Sequence, residues 1–411
     1  MKKATLLSIT GLLAFCLMFG VNFAQAQAGS LDPTFGTGGI VSTRVGNPDI
    51  FPLGAFEQSN GDIVAIATID DGTTLATNVG LVRYTSAGAL DTTFGNRGFT
   101  TTSLAGFNLV AADFAVQPNG DILVAATATI DLTGGEFVLV RYTANGKLDT
   151  TFGNGGIVTT DLPGDDDESV LLLQPNGQIV VGGFRTPSSN EGAGAATVLV
   201  RYNSNGSLDT TFGAAGSDAF ESPALAGPAA LALLSNGNYL ALGNTVVELT
   251  STGALLTSVV PGTLVATDVP TSTCCSPTIF QPNGDFLVAQ IFGTTRRHSD
   301  VKVVRFSETG VVDTTFTSTP FAIGPGENEP QIIVLQPNGQ ILIGGLTNAM
   351  QNPIEGGFAR LNTNGTVDTT FGTSGVVSTG PLASLLVQGD GKIVAIGSNA
   401  GDLVLSRYLG N

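Results

Sequence analysis

The chain of 411 residues contains no tryptophan, one histidine, three cysteines and only 16 lysines and arginines. Each scarcity excludes something. The lone His298 rules out a metal centre built from several imidazoles. The motifs H-E-x-x-H, G-x-S-x-G, C-x-x-C and a phosphate-binding P-loop are all absent, so the common hydrolase, redox and nucleotide chemistries have no anchor. Against 33 acidic residues the few cations leave a formal charge of −17 at pH 7. Binding of nucleic acid, or of anionic membrane through a basic patch, is therefore not expected. Charged residues make up 12% of the chain and hydrophobic ones 42%, which excludes a disordered composition. Cys274 and Cys275 are adjacent and cannot build a cross-linked framework. They would either close a strained vicinal disulfide or remain two thiols.

What is present begins with an export signal. Lys2 and Lys3 precede an apolar run from Ala4 to Ala24, followed by Ala24-x-Ala26 and Ala26-x-Ala28. Residues 1–28 read as a cleaved leader, with an uncleaved anchor as the alternative. Cys16 follows Phe15, where a lipoprotein signal needs a small residue, so a lipid anchor is rejected. No second apolar span follows. The rest of the chain should be periplasmic, cell-surface or extracellular, and monomeric.

From Gly29 to Asn411 the sequence repeats. One marker is a tight turn before an apolar run, as in "PNGDILVAA" and "PNGQIVVGG". It occurs at Asn60, Asn119, Asn176, Asn236, Asn283, Asn338 and Asp390, 47 to 60 residues apart. The second marker is "RY…NG.LDTTFG". Each unit therefore holds two hairpins, since Asn-Gly between β-prone runs is a strong hairpin signal. Four strands in each of seven units predict an all-β, seven-bladed propeller with four-stranded antiparallel blades. The apolar runs lack alternation, as expected of strands covered on both faces. Small pairs within them, Ala125-Ala126, Gly182-Gly183 and Gly344-Gly345, should let neighbouring sheets approach.

The chain stops at "SRYLGN", part-way through the second marker, and "GSLDPTFG" at Gly29 supplies the missing half. The N-terminal segment should thus complete the last blade and close the ring.

Arg83, Arg141, Arg201, Arg305, Arg360 and Arg407 each lie five residues before the turn glycine or its expected position. Asp91, Asp149, Asp209, Asp313 and Asp368 lie three residues after it, and Asp32 is the counterpart of Arg407 across the ring closure. In the fourth unit Arg becomes Glu248 and Asp becomes Leu256, and this joint loss suggests that the two side chains meet. A three-residue loop with Gly146 left-handed would set Arg141 opposite Asp149, whereas a two-residue loop would put them on opposite faces. Solvated turn and edge residues are the plainer alternative.

Units such as "QPNGQIVVGG" and "LVRYNSNGSLDTTFG" resemble the delta-60 repeat, a bacterial β-propeller repeat of unassigned function. The resemblance spans Gly29 to Asn411, implies an exported or surface-associated protein, and brings no catalytic residues.

Segments that depart from the repeat are the candidate sites, and they should emerge together on the face opposite the tight turns. Asp165, Asp166, Asp167 and Glu168 form an acidic turn that offers oxygen ligands for Ca²⁺ or is merely solvated. Arg296, Arg297 and His298 could bind a carboxylate or phosphate, or form a plain surface loop. Polar loops carrying Glu191 and Glu355 could contact a partner or act as connectors. No cofactor is required. The expectation is a non-enzymatic scaffold that binds a glycan, a peptide or another surface protein. The rivals are a carbohydrate-active hydrolase or lyase with acidic residues in the central funnel, and a purely structural surface protein.

Overall fold

The structure is a computed structural model that describes residues 27–45, 49–70, 72, 76–130, 133–162, 165–186, 196–220, 230–242, 246–259, 277–293, 299–347 and 355–410. Among them there is no helix, and hence none long and apolar enough to cross a membrane. Strand β1 (Ile40–Thr43) stands apart at the start. Blade I follows as β2 (Ile50–Glu57), β3 (Ile63–Asp70), β4 (Thr77–Tyr84) and β5 (Phe99–Thr102). Blade II is β6 (Asn108–Val116), β7 (Ile122–Ile130), β8 (Thr133–Tyr142) and β9 (Ile157–Thr160). Blade III is β10 (Asp165–Leu173), β11 (Ile179–Thr186), β12 (Ala196–Tyr202) and β13 (Ser217–Phe220). Blade IV is β14 (Ala230–Leu233), β15 (Tyr239–Leu242), β16 (Val246–Leu249) and β17 (Leu255–Val259). Blade V is β18 (Thr278–Phe280), β19 (Phe286–Phe292) and β20 (Asp300–Phe306). Blade VI is β21 (Asn328–Leu335), β22 (Ile341–Thr347), β23 (Glu355–Leu361) and β24 (Val376–Thr379). Blade VII is β25 (Ser384–Val387), β26 (Ile393–Asn399) and β27 (Asp402–Tyr408), completed by β1.

All strands pair antiparallel in chain order within a blade, and the first strands of successive blades contact one another all the way round. The ring closes where β1 pairs β27, with Ile40 opposite Ser406 and Thr43 opposite Leu403. The molecule is a seven-bladed β-propeller. Blade V differs: the turn that leads into the fourth strand is shortened after Phe316, and in place of a fourth strand the outer edge of β20 keeps the bridges Phe306–Val312 and Val301–Phe321.

The second strand of each blade carries the core. From Ile63 to Ile69 in β3 and from Ile122 to Ala128 in β7 every side chain is buried, on both faces. Such strands cannot alternate apolar and polar residues, because a blade packs on either side. Each fully buried Val, Leu or Ile contributes about 1.5–3 kcal/mol. The small residues serve two ends. A Cβ on Gly344 would come 2.9 Å from Leu382, in the connection to blade VII. Gly345 instead faces its own blade, under Glu329 and the bulge between Pro330 and Ile332. Only the first of the pair acts between sheets.

Turns joining first to second strands, and third to fourth, lie on one face. Their loops have three residues: Thr143 N–H donates to Lys147 at 2.8 Å, Gly146 N–H donates to Thr143 at 2.8 Å, and Gly146 has φ +75°. Asparagine enters through its side chain, which accepts the N–H two residues on, as Asn119 does from Asp121 at 3.1 Å. Connections from second to third strands, and from blade to blade, leave from the opposite face.

Candidate functional site

On the tight-turn face the repeat builds one device six times. The three-residue loop places Tyr142 opposite Leu148, and Asp149 N–H donates to the Arg141 carbonyl at 2.9 Å. Arg141 and Asp149 therefore share a side of the hairpin. The six pairs, Arg83–Asp91, Arg141–Asp149, Arg201–Asp209, Arg305–Asp313, Arg360–Asp368 and Arg407–Asp32, close at 2.6–3.0 Å. A threonine two residues after each aspartate donates its hydroxyl to the other carboxylate oxygen at 2.6–2.7 Å. These bonds favour the ionised form. The threonine's N–H and hydroxyl, with the arginine, hold Asp91 and Asp149 below the usual carboxylate range, and bring Asp313 down to about 2. Burial opposes ionisation of Asp32 and Asp368, yet the same bonds and the arginine charge still lower both.

The arginine does more than pair. Its guanidinium lies 4.3–4.9 Å over the phenylalanine of its own unit: Phe94, Phe152, Phe212, Phe316, Phe371 or Phe35. Its Nη1 then donates to a carbonyl in the turn of the following blade, for example Ser204 at 2.7 Å, Ser251 at 2.6 Å and Ser86 at 2.6 Å. The residue after the phenylalanine donates its N–H to the same turn at 2.8–3.0 Å, as Gly153 does to Asn205. The ring slides beneath the next turn's glycine: a Cβ on Gly206 would sit 3.0 Å from Phe152. That glycine is thus required twice, for its φ of +88° and for the neighbour's ring. The arrangement is a clasp between blades. The inter-blade reach was not visible in local spacing. One signal was available, since the phenylalanine is missing from the same fourth unit that lacks arginine and aspartate.

The opposite face carries the variable connections. Asp165 to Glu168 do not form a turn. They are the first half of β10, paired with Thr186 to Gly183, because the ladder with β11 claims their backbone. Glu355 opens β23 and is exposed. Arg296, Arg297, His298, Glu191, Cys274 and Cys275 lie outside the described residues, as does the leader up to Ala26. Among the described residues the structure therefore brings together the arginine–aspartate pairs.

Two features of the inner strands had no sequence signal. Phe51 and Val110 occupy one equivalent position, near the start of β2 and β6, and are 57% and 45% exposed. Glu329 takes that position in β21 and Asp167 takes it in β10. Asp113 sits at the bulge of β6, where it accepts Leu171 N–H of blade III at 2.7 Å and Phe114 N–H at 2.8 Å. Burial pushes its carboxyl up to about 6. Glu57, at the other end of β2, accepts Gln388 Nε2 at 2.8 Å and Gly389 N–H at 2.6 Å, tying blade I to blade VII. Among the described residues no group of three or more His, Cys, Asp or Glu is gathered as a metal site. Two grooves of about 580 and 570 Å³ lie between blades II and III and between VI and VII. Both are lined by clasp residues such as Gly153 and Asn205 or Gly29 and Gly372.

The family comparison agrees on the fold and stops there. Residues 117–152, 174–212 and 336–371 match a β-propeller family described as a domain of unknown function, DUF5122. No curated protein matches the sequence. Among solved structures, a catalytically inactive virginiamycin B lyase from Staphylococcus aureus is similar, at 14% identity over 89% of this chain and 98% of that one, with a TM-score of 0.49. An α-L-arabinofuranosidase from Fusarium graminearum shares 10% identity over 89% and 96%, with a TM-score of 0.45. A luciferin-regenerating enzyme shares 11% over 83% and 96%, with a TM-score of 0.40.

Proposed function

We propose that this chain is an exported, non-enzymatic propeller of the delta-60 repeat kind, acting as a monomeric scaffold that holds a ligand or partner on the face opposite the clasps. One observation carries the reading. The tight-turn face is occupied by an inter-blade device at six of the seven junctions, while the connections leaving the other face vary most in length and chemistry. A surface that is free to vary on a rigid frame is where binding residues accumulate. The described inner-strand carboxylates fit binding better than acid–base catalysis. Glu57 is engaged by the backbone and side chain of blade VII at one end of its strand, Asp113 by backbone N–H groups at a bulge, and Glu329 lies on blade VI.

The partner class is a glycan, a peptide or another surface protein, and Arg296, Arg297 and His298 are the first residues to test. Screening the leaderless chain against glycan and peptide arrays, beside an Arg296→Ala/Arg297→Ala variant, checks this. Binding that falls at least tenfold in the variant supports the reading. Hydrolysis or elimination of an arrayed glycan would replace it with a carbohydrate-active enzyme. Calorimetric titration with Ca²⁺, repeated on Asp166→Asn, tests the acidic half of β10 as an ion site.

A further inference from the structure

The last blade's outer turn is made by two segments that lie far apart along the chain. Leu409 N–H donates to Ser30 at 2.9 Å and Gly29 N–H donates to Leu409 at 2.7 Å. These are the bonds that Thr143, Lys147 and Gly146 make within the continuous turn of blade II. Gly410 therefore stands for Ala144, Ala28 for Asn145, and Gly29 (φ +85°) for Gly146. The correspondence extends to the clasp. Gly372 N–H of blade VI donates to the Ala28 carbonyl at 2.8 Å, as Gly95 does to Asn145 at 3.0 Å. Arg360 donates to the Gly410 carbonyl, as Arg83 does to Ala144.

Ala28 is thus part of the propeller, and so is the residue before it. The Gln27 carbonyl accepts Ser30 N–H at 3.0 Å and Ser30 Oγ at 2.6 Å, and Gln27 Nε2 donates to the Gly372 carbonyl at 2.6 Å. Ala28 also packs against the cluster of Phe358, Phe371 and Tyr408. Two Ala-x-Ala steps precede this point, and they are not equivalent. A cut after Ala28 deletes the carbonyl that Gly372 N–H donates to, one of the two acceptors of the clasp between blades VI and VII, together with every bond of Gln27. A cut after Ala26 keeps them all.

We infer that signal peptidase processing occurs between Ala26 and Gln27, so that the working protein begins at Gln27 and needs this residue and Ala28 to finish its ring. The inference rests on the export reading above. Hydrolysis of the Ala26–Gln27 peptide bond by water yields the free leader carboxylate and a new amine on Gln27. The test is the intact mass of protein secreted from a bacterial host expressing the full chain. A start at Gln27 is expected. A start at Gly29 overturns this inference while leaving export standing, and an uncut chain overturns both. A second arm uses the full chain with Ala24→Leu, which spoils the first Ala-x-Ala step and spares the second. Accumulation of uncut precursor supports the inference, as does a product starting at Gly29 that melts about 2 °C or more below the wild type. A product starting at Gly29 that melts with the wild type overturns it.

Discussion

At the junction of blades III and IV, Arg201 pairs with Asp209, covers Phe212 and reaches the Ser251 carbonyl of the next turn. At the junction of blades IV and V, Glu248 occupies the arginine's place and turns back to accept Asn238 Nδ2 within its own blade at 2.8 Å. Without arginine, aspartate and phenylalanine, no loop forms after the turn. Strand β17 continues from Leu255 with a single bulge at Leu256, and Thr257 pairs with Glu248. What remains there is apolar contact: Leu240 and Leu242 meet Phe286 and Phe306, whose rings stack at 5.1 Å. The difference teaches that polar clasps are not needed to seat one blade on another. They fix where each turn sits, and one junction of the ring does without.

The largest expected effect comes from removing the ring beneath a turn. Phe152→Ala should lose about 3–5 kcal/mol of unfolding free energy in urea, because the ring is fully buried in the side-chain cluster between blades II and III and its loss leaves a cavity there. Next comes the ion pair. Arg360→Ala strands a buried Asp368 and should cost about 3 kcal/mol, whereas Glu248→Ala should stay within about 0.5 kcal/mol. Equal losses in these two variants would erase the distinction between the junctions.

Acid should sharpen the contrast. The clasp aspartates have folded values below their unfolded one near 3.8. Their contribution is complete above that value and is lost as pH falls through the folded values, about 2 for Asp313. Hydrogen exchange at pH 2–3 should therefore open the six clasped turns before the apolar contact of blades IV and V. Asp113 acts with the opposite sign. Its folded value near 6 lies above the unfolded one, so its destabilising charge is relieved as pH falls from 7 towards 4, and Asp113→Asn should remove that gain. The smallest effect belongs to grafting. Glu248→Arg combined with Leu256→Asp should change stability by less than about 0.5 kcal/mol, since β17 holds the new side chains out of clasp geometry. A gain matching one clasp would show that the pair alone builds the loop.

The architecture was legible because its determinants are local. Asn-Gly turns, unalternating apolar runs and the joint change at Glu248 and Leu256 all report on one hairpin at a time. The reach of Arg141 to Ser204, and of Phe152 to Gly206, crosses between units 50 to 60 residues apart, and no hairpin pattern encodes it. Asp165 to Glu168 read as a turn because four acids in a row hide a strand whose backbone is paired all the same. Asp113 gave no signal, since the bulge it sits at recurs in β2, β10 and β21 with Gly54, Val170 and Ile332 in its place. The candidate ligand residues were named from departures in the repeat, which locate a variable connection and not its shape.

The break in the last blade also imposes an order on assembly. Asp32 meets Arg407 across 375 positions of chain, so this pair is satisfied only when the two extremities of the propeller meet. Until Leu403 to Ser406 are in place, β1 has no strand to pair with, and the folding molecule carries an open sheet edge at either extremity. Long-range pairing of this kind folds slowly and exposes intermediates to foreign strands. Completion is then a single late zippering of two extremities, and a chain truncated by even its final strand is left with both edges bare.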